Sequence, residues 1–463
     1  MRGAAAGDAR SLARTRAHER RSGRGRAREK NTGPARSRVV VRAGFLTALV
    51  AVMLAVGTTA SATAATLSER TLAAVRASAA APITSVFVWD QTGTATIASV
   101  DADRAVAPAS TMKLLTSAAT MARFGPDHRF TTRLALTGHQ TGDTWVGDVW
   151  LVGGGDPSLS TFGFARRNYD GHGANLAGLV APLRRRGITT VTGQVRVDDD
   201  WFDALRYVPE WKATFRYDEA GALGALTVNQ SRVGSTIDSD SVRAPDLRAG
   251  EVFRDLASRQ GIRIVRGVAA GSTPDTATWV GVLQSPTVAE LLDHMNATSD
   301  NFFAETLLKG IGADRFGPGA STSDGRRAAR SVLGRLGIDL SPVRWLDGSG
   351  LAYGNRVTAR SLGGLMRVAG SSTWGERWIA SFAHGGQAGS TLEHRLTRWP
   401  YRSRIAAKTG TLVHVSALAG FSTRLTSGRS YGFVVLTFNP GGRPVNYASA
   451  RALQDRLAMI LVR

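Results

Sequence analysis

The sequence predicts an α/β protein of the α+β type, in which an antiparallel sheet flanked by helices is interrupted by a large insertion. Alternating apolar runs joined by short turns occur around residue 91 and again over 404–438, a pattern typical of antiparallel hairpins. Apolar-periodic segments beside these runs predict helices that cover the faces of the sheet. Between the two groups, the stretch 129–286 differs in character and predicts one or two smaller, mostly β domains.

The segment 66–128 forms the first part of the sheet-and-helix domain. Gln91-Thr-Gly93 stands between two alternating runs and predicts a tight hairpin. Pro108 suits the first turn of a helix, and Gly125 followed by proline marks the helix end. The predicted elements are a helix over 66–82, strands over 85–90 and 94–99, and a helix from about 110 to 124.

The insertion 129–286 is followed by the second part of the domain, residues 287–463. In the insertion we predict strands over 129–137, 144–152, 190–198, 262–269 and 278–283, helices over 176–187 and 251–261, and loops over 199–247. In the second part we predict helices over 287–296, 302–310, 323–336, 358–369 and 447–461, and strands over 404–407, 413–424 and 430–438. Gly153-Gly-Gly155 predicts a structural turn, since no Gly-Lys-Ser or Gly-Lys-Thr follows it.

Residues 1–64 predict export of the mature chain. A basic lead-in precedes the apolar run 43–57, and small residues follow at Ala60-Ser-Ala62 and Ala62-Thr-Ala64. This order is that of a secretory signal peptide. An uncleaved membrane anchor is the alternative, because the apolar run is marginal for a membrane span. The long lead-in leaves the start codon and the cleavage site open.

The strong positive charge does not indicate a nucleic-acid partner. The first 42 residues hold thirteen Arg or Lys and three Asp or Glu, and therefore carry +10 of the formal +22. The remaining charge is spread without a dense basic run, which favours a solvated surface over attraction to an anionic polymer or membrane. The chain has no cysteine, which excludes disulfides and thiolate chemistry.

Lysine is rare in this chain. Of 58 basic residues only five are lysines, at positions 30, 113, 212, 309 and 408. Arginine does not lose its proton in a protein, whereas a buried lysine does. Each remaining lysine is therefore a candidate for a role that arginine cannot fill.

Three short motifs occur in order: Ser110-Thr-Met-Lys113, Ser299-Asp-Asn301 and Lys408-Thr-Gly410. Each pattern alone arises by chance. In this chain, however, Lys113 is the only lysine with a serine three residues before it, and Lys-Thr-Gly occurs once. The ordered trio therefore predicts a catalytic site.

The chemistry that these residue types allow is acyl transfer. Ser110 and Lys113 lie one helical turn apart, so the amine reaches the hydroxyl. Ser110 is the candidate nucleophile, and Lys113 is the base that activates it if its pKa is lowered. Lys408, a second ammonium, is expected to help lower that pKa. Ser299 is expected to relay a proton to the leaving amine, and Asn301 to orient Lys113.

The same motifs predict how a peptide with a free terminal carboxylate binds. Asn301 is expected to hydrogen-bond a substrate amide. Thr409 is expected to bind the substrate carboxylate, which Lys408 attracts electrostatically. Gly410 has no side chain, so that a peptide has room to lie along this strand. The backbone N–H groups of the nucleophilic serine and of Thr411 are the candidate oxyanion hole.

The trio resembles that of the penicillin-recognising serine enzymes. Ser299 lies 189 positions after Ser110, a longer spacing than a compact β-lactamase needs. This spacing is similar to that of the D-alanyl-D-alanine carboxypeptidase/endopeptidase family, the low-molecular-mass class C penicillin-binding proteins. Supporting stretches are Pro108-Ala-Ser-Thr, Gly155-Asp-Pro-Ser-Leu159, the Ala304-Glu305 that follows Ser299-Asp-Asn301, Asp347-Gly-Ser-Gly-Leu351, Gly389-Ser-Thr-Leu392 and Ala407-Lys-Thr-Gly-Thr-Leu412.

The resemblance implies a β-lactamase/transpeptidase-like domain that cleaves the terminal D-Ala-D-Ala bond of peptidoglycan stem peptides. It leaves open whether cross-links are cleaved as well. Penicillins and other β-lactams would acylate Ser110, and Asp156 matches an aspartate that helps bind the amine of the stem diamino acid. The expected location is the cell wall or the outer face of the membrane, with membrane contact transient or through an uncleaved signal.

Two other functions remain open from the sequence. A serine β-lactamase would need a group that activates the deacylating water, and we identify none. A non-catalytic scaffold that binds the cell wall would not need the intact trio. No cofactor is expected, and the eight histidines show no HExxH spacing that would predict a metal site. The oligomeric state is not predicted.

Overall fold

The computed structural model describes residues 65–93, 95–237 and 239–463. The predicted lead-in and signal, residues 1–64, lie outside the described residues. Among the described residues, no helix has both the length and the apolar character that a membrane crossing requires.

Strands and helices alternate in groups along the described chain. In chain order, the strands are β1 (Thr84–Asp90), β2 (Thr96–Val100), β3 (Thr131–Thr141), β4 (Thr144–Val152), β5 (Thr190–Val191), β6 (Val195–Asp198), β7 (Arg263–Ile264), β8 (Val268–Ala270), β9 (Thr278–Gln284), β10 (Ala383–His384), β11 (Ile405–Leu412), β12 (Val415–Thr423) and β13 (Ser430–Phe438). The α-helices are α1 (Leu67–Arg76), α2 (Lys113–Phe124), α3 (Phe162–Asn168), α4 (Ala181–Arg185), α5 (Phe215–Asp218), α6 (Pro245–Arg259), α7 (Val288–Thr298), α8 (Asn301–Phe316), α9 (Thr322–Arg335), α10 (Ala359–Gly370), α11 (Gly375–Ala380) and α12 (Tyr447–Val462). Short 3-10 turns cover Ala81–Ile83, Ala109–Met112, Leu176–Val180, Asn229–Ser231 and Tyr401–Ser403.

The first sheet has the strand order β10-β11-β12-β13-β1-β2, and each neighbouring pair is antiparallel. Every residue of β1 is buried because helices cover both faces of the sheet. Val86 and Val88 belong to the core shared with α1 and α12. Phe87 and Trp89 point to the other core, which is built from α2 and α7 to α10. This layering is the predicted antiparallel sheet flanked by helices.

The second sheet is built by residues between 131 and 284 and has its own apolar core. Its main path is β7-β5-β4-β3-β9, with β6 beside β4 and β8 beside β6. β3 pairs antiparallel with β4 and β9, whereas the other pairs are parallel. The predicted fold class is therefore confirmed, while the domain boundaries at 129 and 286 stay predictions.

Several elements differ from the prediction for local reasons. The strand expected over 190–198 is broken into β5 and β6, which pair with opposite ends of β4. At the break, a Cβ on Gly193 would lie 2.2 Å from the Gly147 carbonyl oxygen, so the two chains meet too closely for a side chain. The strand expected over 404–407 extends to Leu412, which places Lys408-Thr-Gly410 inside β11.

Candidate active site

The turn that carries Ser110 lies just before α2 rather than inside it. Residues Ala109–Met112 form a 3-10 turn, and α2 begins at Lys113. Ala109 has φ 48°, in the left-handed region that a residue with a side chain rarely adopts. A Cβ on Gly350 would lie 2.0 Å from the Ala109 carbonyl oxygen. The turn Ala109–Met112, which carries Ser110, is therefore held in place by the backbone of the distant loop around Gly350.

Lys113 is completely buried, and its amine contacts Ser110 and Asn301, two other residues of the predicted site. Nζ donates to Ser110 Oγ at 3.1 Å, to Asn301 Oδ1 at 2.7 Å and to the Ser349 carbonyl oxygen at 2.8 Å. Burial lowers the pKa of Lys113 to about 8. The surrounding carboxylates oppose this shift, in decreasing order Asp347, Glu305, Asp300 and Glu219. With this pKa, Lys113 has at physiological pH a fraction of the neutral form that a base requires.

The loop 347–351 positions the Ser349 carbonyl because two buried carboxylates bind its backbone. Asp347 accepts from the N–H of Gly350 at 2.9 Å and from that of Ala352 at 2.7 Å. Glu305 accepts from the N–H groups of Gly348 and Ser349. Burial, followed by the nearby charge of Asp347, raises the pKa of Glu305 to about 8. The stretches around Glu305 and Asp347 thus serve to build the environment of Lys113.

The Ser299-Asp-Asn301 motif forms the junction between α7 and α8. Ser299 ends α7 with φ 69°, and Asp300 caps α8 by accepting from the Phe303 N–H at 3.0 Å. Asn301 begins α8 and points its side chain at Lys113, as expected from the sequence. Among the described residues, no hydrogen bond joins the Ser299 side chain to Ser110 or Lys113. The proton relay through Ser299 therefore stays a prediction.

Strand β11 brings Lys408-Thr-Gly410 against the Ser110 turn. A Cβ on Gly410 would lie 2.7 Å from the Pro108 carbonyl oxygen and 3.2 Å from the Thr111 nitrogen. The sequence interpretation, room for a peptide along the strand, missed this constraint. A glycine is needed at position 410 mainly because the backbone of β11 contacts the backbone of the turn that carries Ser110.

Lys408 is also completely buried, and its Nζ donates to the Thr409 carbonyl oxygen at 3.0 Å. Burial, followed by the charge of Lys113, lowers the pKa of Lys408 well below its usual value. Burial is the main cause of the lowered pKa at both lysines. The expected contribution of the Lys408 charge to the lowered pKa of Lys113 stays a prediction.

The other predicted binding residues differ in exposure. Thr409 is nearly buried, whereas Thr411 is exposed at the end of the same strand. Their roles toward a carboxylate and in an oxyanion hole stay predictions.

Asp156 is buried in the insertion, where its Oδ1 accepts from the N–H and the hydroxyl of Ser158. Burial raises the pKa of Asp156 to about 6, and its Oδ2 is buried without a hydrogen-bond partner in the described structure. Within the described residues no hydrogen bond joins Asp156 to the trio. An amine would give the free Oδ2 a partner, but that role also stays a prediction.

Sequence reasoning missed one residue at the centre of the site. Asn301 Nδ2 donates to the Glu219 carbonyl oxygen at 3.0 Å and to Glu219 Oε2 at 3.2 Å. Glu219 comes from the loop-rich stretch 199–247, which has no motif or periodicity that would single it out. Its role depends on a contact across 82 positions of the chain.

Groups of three or more His, Cys, Asp or Glu side chains arranged to hold a metal ion are not found in the described part of the chain. The site is instead built from a serine, two buried lysines, an asparagine and backbone carbonyls. These groups suit nucleophilic acyl transfer.

Comparison with known proteins identifies the family. The model of the D-Ala-D-Ala carboxypeptidase 3 (S13) family matches residues 73–241 and 224–461. The chain belongs to this family. As an S13 peptidase, it is a serine hydrolase of the D-Ala-D-Ala carboxypeptidase type, which confirms the predicted family and enzyme class.

Relatives of this S13 peptidase support the same assignment. The chain is 28% identical over 415 residues to a D-alanyl-D-alanine carboxypeptidase of Actinomadura sp. (strain R39), covering 73% of this chain and 75% of that protein. It is 30% identical over 374 residues to carboxypeptidase Rv3627c of Mycobacterium tuberculosis, covering 76% of each. Its fold is similar to that of penicillin binding protein 4 (dacB) from Haemophilus influenzae, with a TM-score of 0.68, 19% identity and coverage of 81% and 94%.

Proposed function

We propose that this S13 peptidase removes the terminal D-alanine from peptidoglycan stem peptides through an acyl-enzyme on Ser110. One observation carries the proposal: the buried Lys113 amine, with a pKa of about 8, lies 3.1 Å from Ser110 Oγ. A neutral amine in this position takes the serine proton as the oxygen attacks. The names of the family and of its Actinomadura relative supply the substrate class.

The reaction has two halves, acylation and deacylation of Ser110. Ser110 Oγ forms an ester with the carbonyl carbon of the penultimate D-alanine, and its proton passes to Lys113. The peptide C–N bond breaks, and Lys113 returns this proton through Ser299 to the leaving D-alanine amine, so that Lys113 is neutral again. Water then attacks the ester carbonyl carbon and gives a proton to Lys113. The ester C–O bond breaks, Ser110 Oγ takes that proton back, and the shortened peptide leaves with a terminal carboxyl group.

Substrate binding follows from charge and burial. Thr409 and Lys408 bind the terminal carboxylate in our proposal, since this anion offsets the repulsion between the two buried lysines. Asp156 binds the amine of the stem diamino acid through its free Oδ2. In the same site β-lactams acylate Ser110 and act as covalent inhibitors.

We further propose that the enzyme acts outside the cytoplasm, in the cell wall or at the outer face of the membrane. The sequence of residues 43–64 and the location of peptidoglycan support this placement. Fusion of residues 1–64 to a reporter enzyme that is active only after export tests it. A reporter that stays in the cytoplasm would contradict the proposal.

The test of activity uses two substrates, a stem pentapeptide ending in D-Ala-D-Ala and a cross-linked muropeptide dimer. We expect release of D-alanine from the pentapeptide, and none from the same peptide ending in D-Ala-L-Ala. Ser110→Ala should abolish release. Cleavage of the dimer by the wild type, and its loss in Ser110→Ala, would add endopeptidase activity at the same site.

Penicillin distinguishes the alternative functions. A carboxypeptidase of this type forms a long-lived penicilloyl ester on Ser110, seen as a mass increase of the intact protein. Rapid multiple turnover of penicillin would instead indicate a β-lactamase. Absence of both D-alanine release and acylation would indicate a non-catalytic wall-binding protein.

A further inference from the structure

The side chain of Glu219 accepts a hydrogen bond from the side-chain amide of Asn301. Both hydrogen bonds donated by Asn301 Nδ2 go to Glu219, one to its backbone oxygen and one to Oε2. Oδ1 of the same amide accepts from Lys113. Asn301 therefore has no free N–H for the substrate amide that we expect it to bind.

The backbone around Glu219 is firmly held. Trp211 is buried, and its Nε1 donates to Asp347 Oδ2 at 2.8 Å. Ala220, directly after Glu219, is buried in the same small apolar cluster as Trp211, Leu351 and Ala352. The Glu219 N–H itself donates to the Phe215 carbonyl oxygen at 3.2 Å. The backbone oxygen of Glu219 thus stays near Asn301 whatever its side chain does.

The side chain of Glu219, in contrast, is exposed. Its only described hydrogen bond is the 3.2 Å contact from Asn301. An exposed carboxylate leaves such a contact for water at little cost, since water replaces the lost donor. The fixed backbone oxygen keeps the asparagine amide oriented toward Lys113 after the carboxylate has left.

We propose that the Glu219 carboxylate is a displaceable internal ligand of Asn301, which a substrate amide carbonyl must replace when it binds. The atom that replaces the Glu219 carboxylate as the acceptor for Asn301 is the carbonyl oxygen of the residue or acyl group that precedes the reacting centre. Glu219 is thereby a specificity-determining residue, because a ligand without that carbonyl gains nothing from displacing it. This inference rests on the proposed function and on the role predicted from the sequence, in which Asn301 hydrogen-bonds a substrate amide.

A second effect of Glu219 follows from its charge. Besides burial, the Lys113 amine faces the carboxylates of Asp347, Glu305, Asp300 and Glu219 and the second buried ammonium, that of Lys408. Glu219 is one of the carboxylates that raise the pKa of Lys113 against burial. Departure of its side chain on substrate binding would therefore favour the neutral amine at the moment when the base is needed.

The test compares acylation rate constants for two β-lactams in the wild type and in Glu219→Ala at pH 9.5, where Lys113, with its pKa of about 8, is neutral in both proteins and the effect of the Glu219 charge disappears. Benzylpenicillin has a side-chain amide carbonyl, whereas 6-aminopenicillanic acid lacks it. We expect Glu219→Ala to speed acylation by benzylpenicillin about threefold to tenfold, because no internal hydrogen bond has to be displaced. Acylation by 6-aminopenicillanic acid should change less than about twofold, as expected for a change away from its contacts.

Two further variants separate the hydrogen bond from the charge. Asp218→Ala removes a neighbouring exposed carboxylate that makes no described hydrogen bond to Asn301, and it should leave both rates unchanged. Glu219→Gln keeps an acceptor oxygen and should retain most of the wild-type rate. The midpoint of the pH dependence should fall in Glu219→Ala but not in Asp218→Ala.

Other outcomes overturn the inference. Slower or unchanged acylation by benzylpenicillin in Glu219→Ala, an equal gain with both β-lactams, or an equal gain in Asp218→Ala would each do so. A wild-type protein that no penicillin acylates would overturn the proposed function and this inference together. An acylated wild type without the expected gain overturns the role of Glu219 alone.

Discussion

Lys113 Nζ donates a hydrogen bond to Ser110 Oγ at 3.1 Å, although the lysine side chain is completely buried. A buried ammonium is costly, and that cost lowers the pKa of Lys113 to about 8. The same packing that hides the amine from water thus favours the neutral form that a base needs. Substitutions around the amine and the pH dependence of acylation test this link between burial and catalysis.

Replacing Lys113 by arginine should remove the base while keeping a cation. Lys113→Arg is expected to slow acylation by penicillin by about 10²- to 10⁴-fold, because a guanidinium does not give up its proton. Lys212→Arg makes the same substitution at an exposed lysine and should leave the rate within about twofold. Acylation rates of the wild type and both variants are measured by stopped flow or mass spectrometry. Near-normal acylation in Lys113→Arg would exclude the lysine as the base.

The acylation rate should rise with pH through a midpoint near pH 8. Below its pKa of about 8, Lys113 is mostly protonated and cannot accept the serine proton. At pH 7 only about a tenth of the enzyme carries the neutral amine, so the rate there should be about a fifth of that at pH 8. The measurement is the second-order acylation rate constant between pH 6 and 9.5, with circular dichroism at each pH to confirm the fold. A rate independent of pH over this range would contradict the role of Lys113.

Gly410→Ala should separate β11 from the turn that carries Ser110. The added Cβ would lie 2.7 Å from the Pro108 carbonyl oxygen, so the strand or the turn must shift. We expect a loss of about 1–3 kcal/mol in the free energy of unfolding, as for other overpacked positions. Acylation should slow by at least about tenfold, because small displacements of reacting groups are costly.

Gly364→Ala is the matched control for this substitution. A Cβ at Gly364 meets nothing within 4 Å, and the residue lies in α10 with ordinary helical geometry. Alanine there should leave acylation unchanged and stabilise the helix by up to about 1 kcal/mol. Urea unfolding and penicillin acylation are measured for both variants; equal behaviour would show that Gly410 is not constrained by the turn.

Asp347→Asn should destabilise the loop that presents the Ser349 carbonyl. The Asp347 carboxylate accepts four close hydrogen bonds, from Gly350, Ala352, Asn355 and Trp211. An amide NH₂ would face two of these donors, and we expect a loss of about 2–4 kcal/mol in the free energy of unfolding. Asp275→Asn makes the same change at an exposed position and should cost less than about 0.5 kcal/mol. Chemical denaturation of both variants measures the difference, and equal stabilities would contradict the role of Asp347.

Much of the site was predictable because its residues belong to motifs with short spacings along the chain. Ser110 and Lys113 meet within one turn, and Asn301 points to Lys113 as its motif suggests. The scarcity of lysine was a useful guide in the described part of the chain. Lys113 and Lys408 are buried in the site, Lys309 is buried and donates to Asp203, and Lys212 lies 4.1 Å from the centre of the Tyr353 ring.

Other features were not predictable, since they depend on contacts between distant segments. The Ser110 motif lies on a 3-10 turn because Ala109 adopts φ 48° against Gly350, which no local pattern indicates. The tight approach at Gly410 was missed for the same reason. Glu219 lies in a loop without periodicity, and only the docking of Trp211 on Asp347 brings it to Asn301.

The sequence by itself determined the candidate residues of the site, the family of the enzyme and its fold class. These depend on residue identity, short spacings and apolar periodicity, which are local properties. Only the tertiary structure decided that burial lowers the pKa of Lys113 and that Glu219 accepts a hydrogen bond from Asn301. Desolvation and long-range hydrogen bonds exist only when the whole chain has packed around the amine.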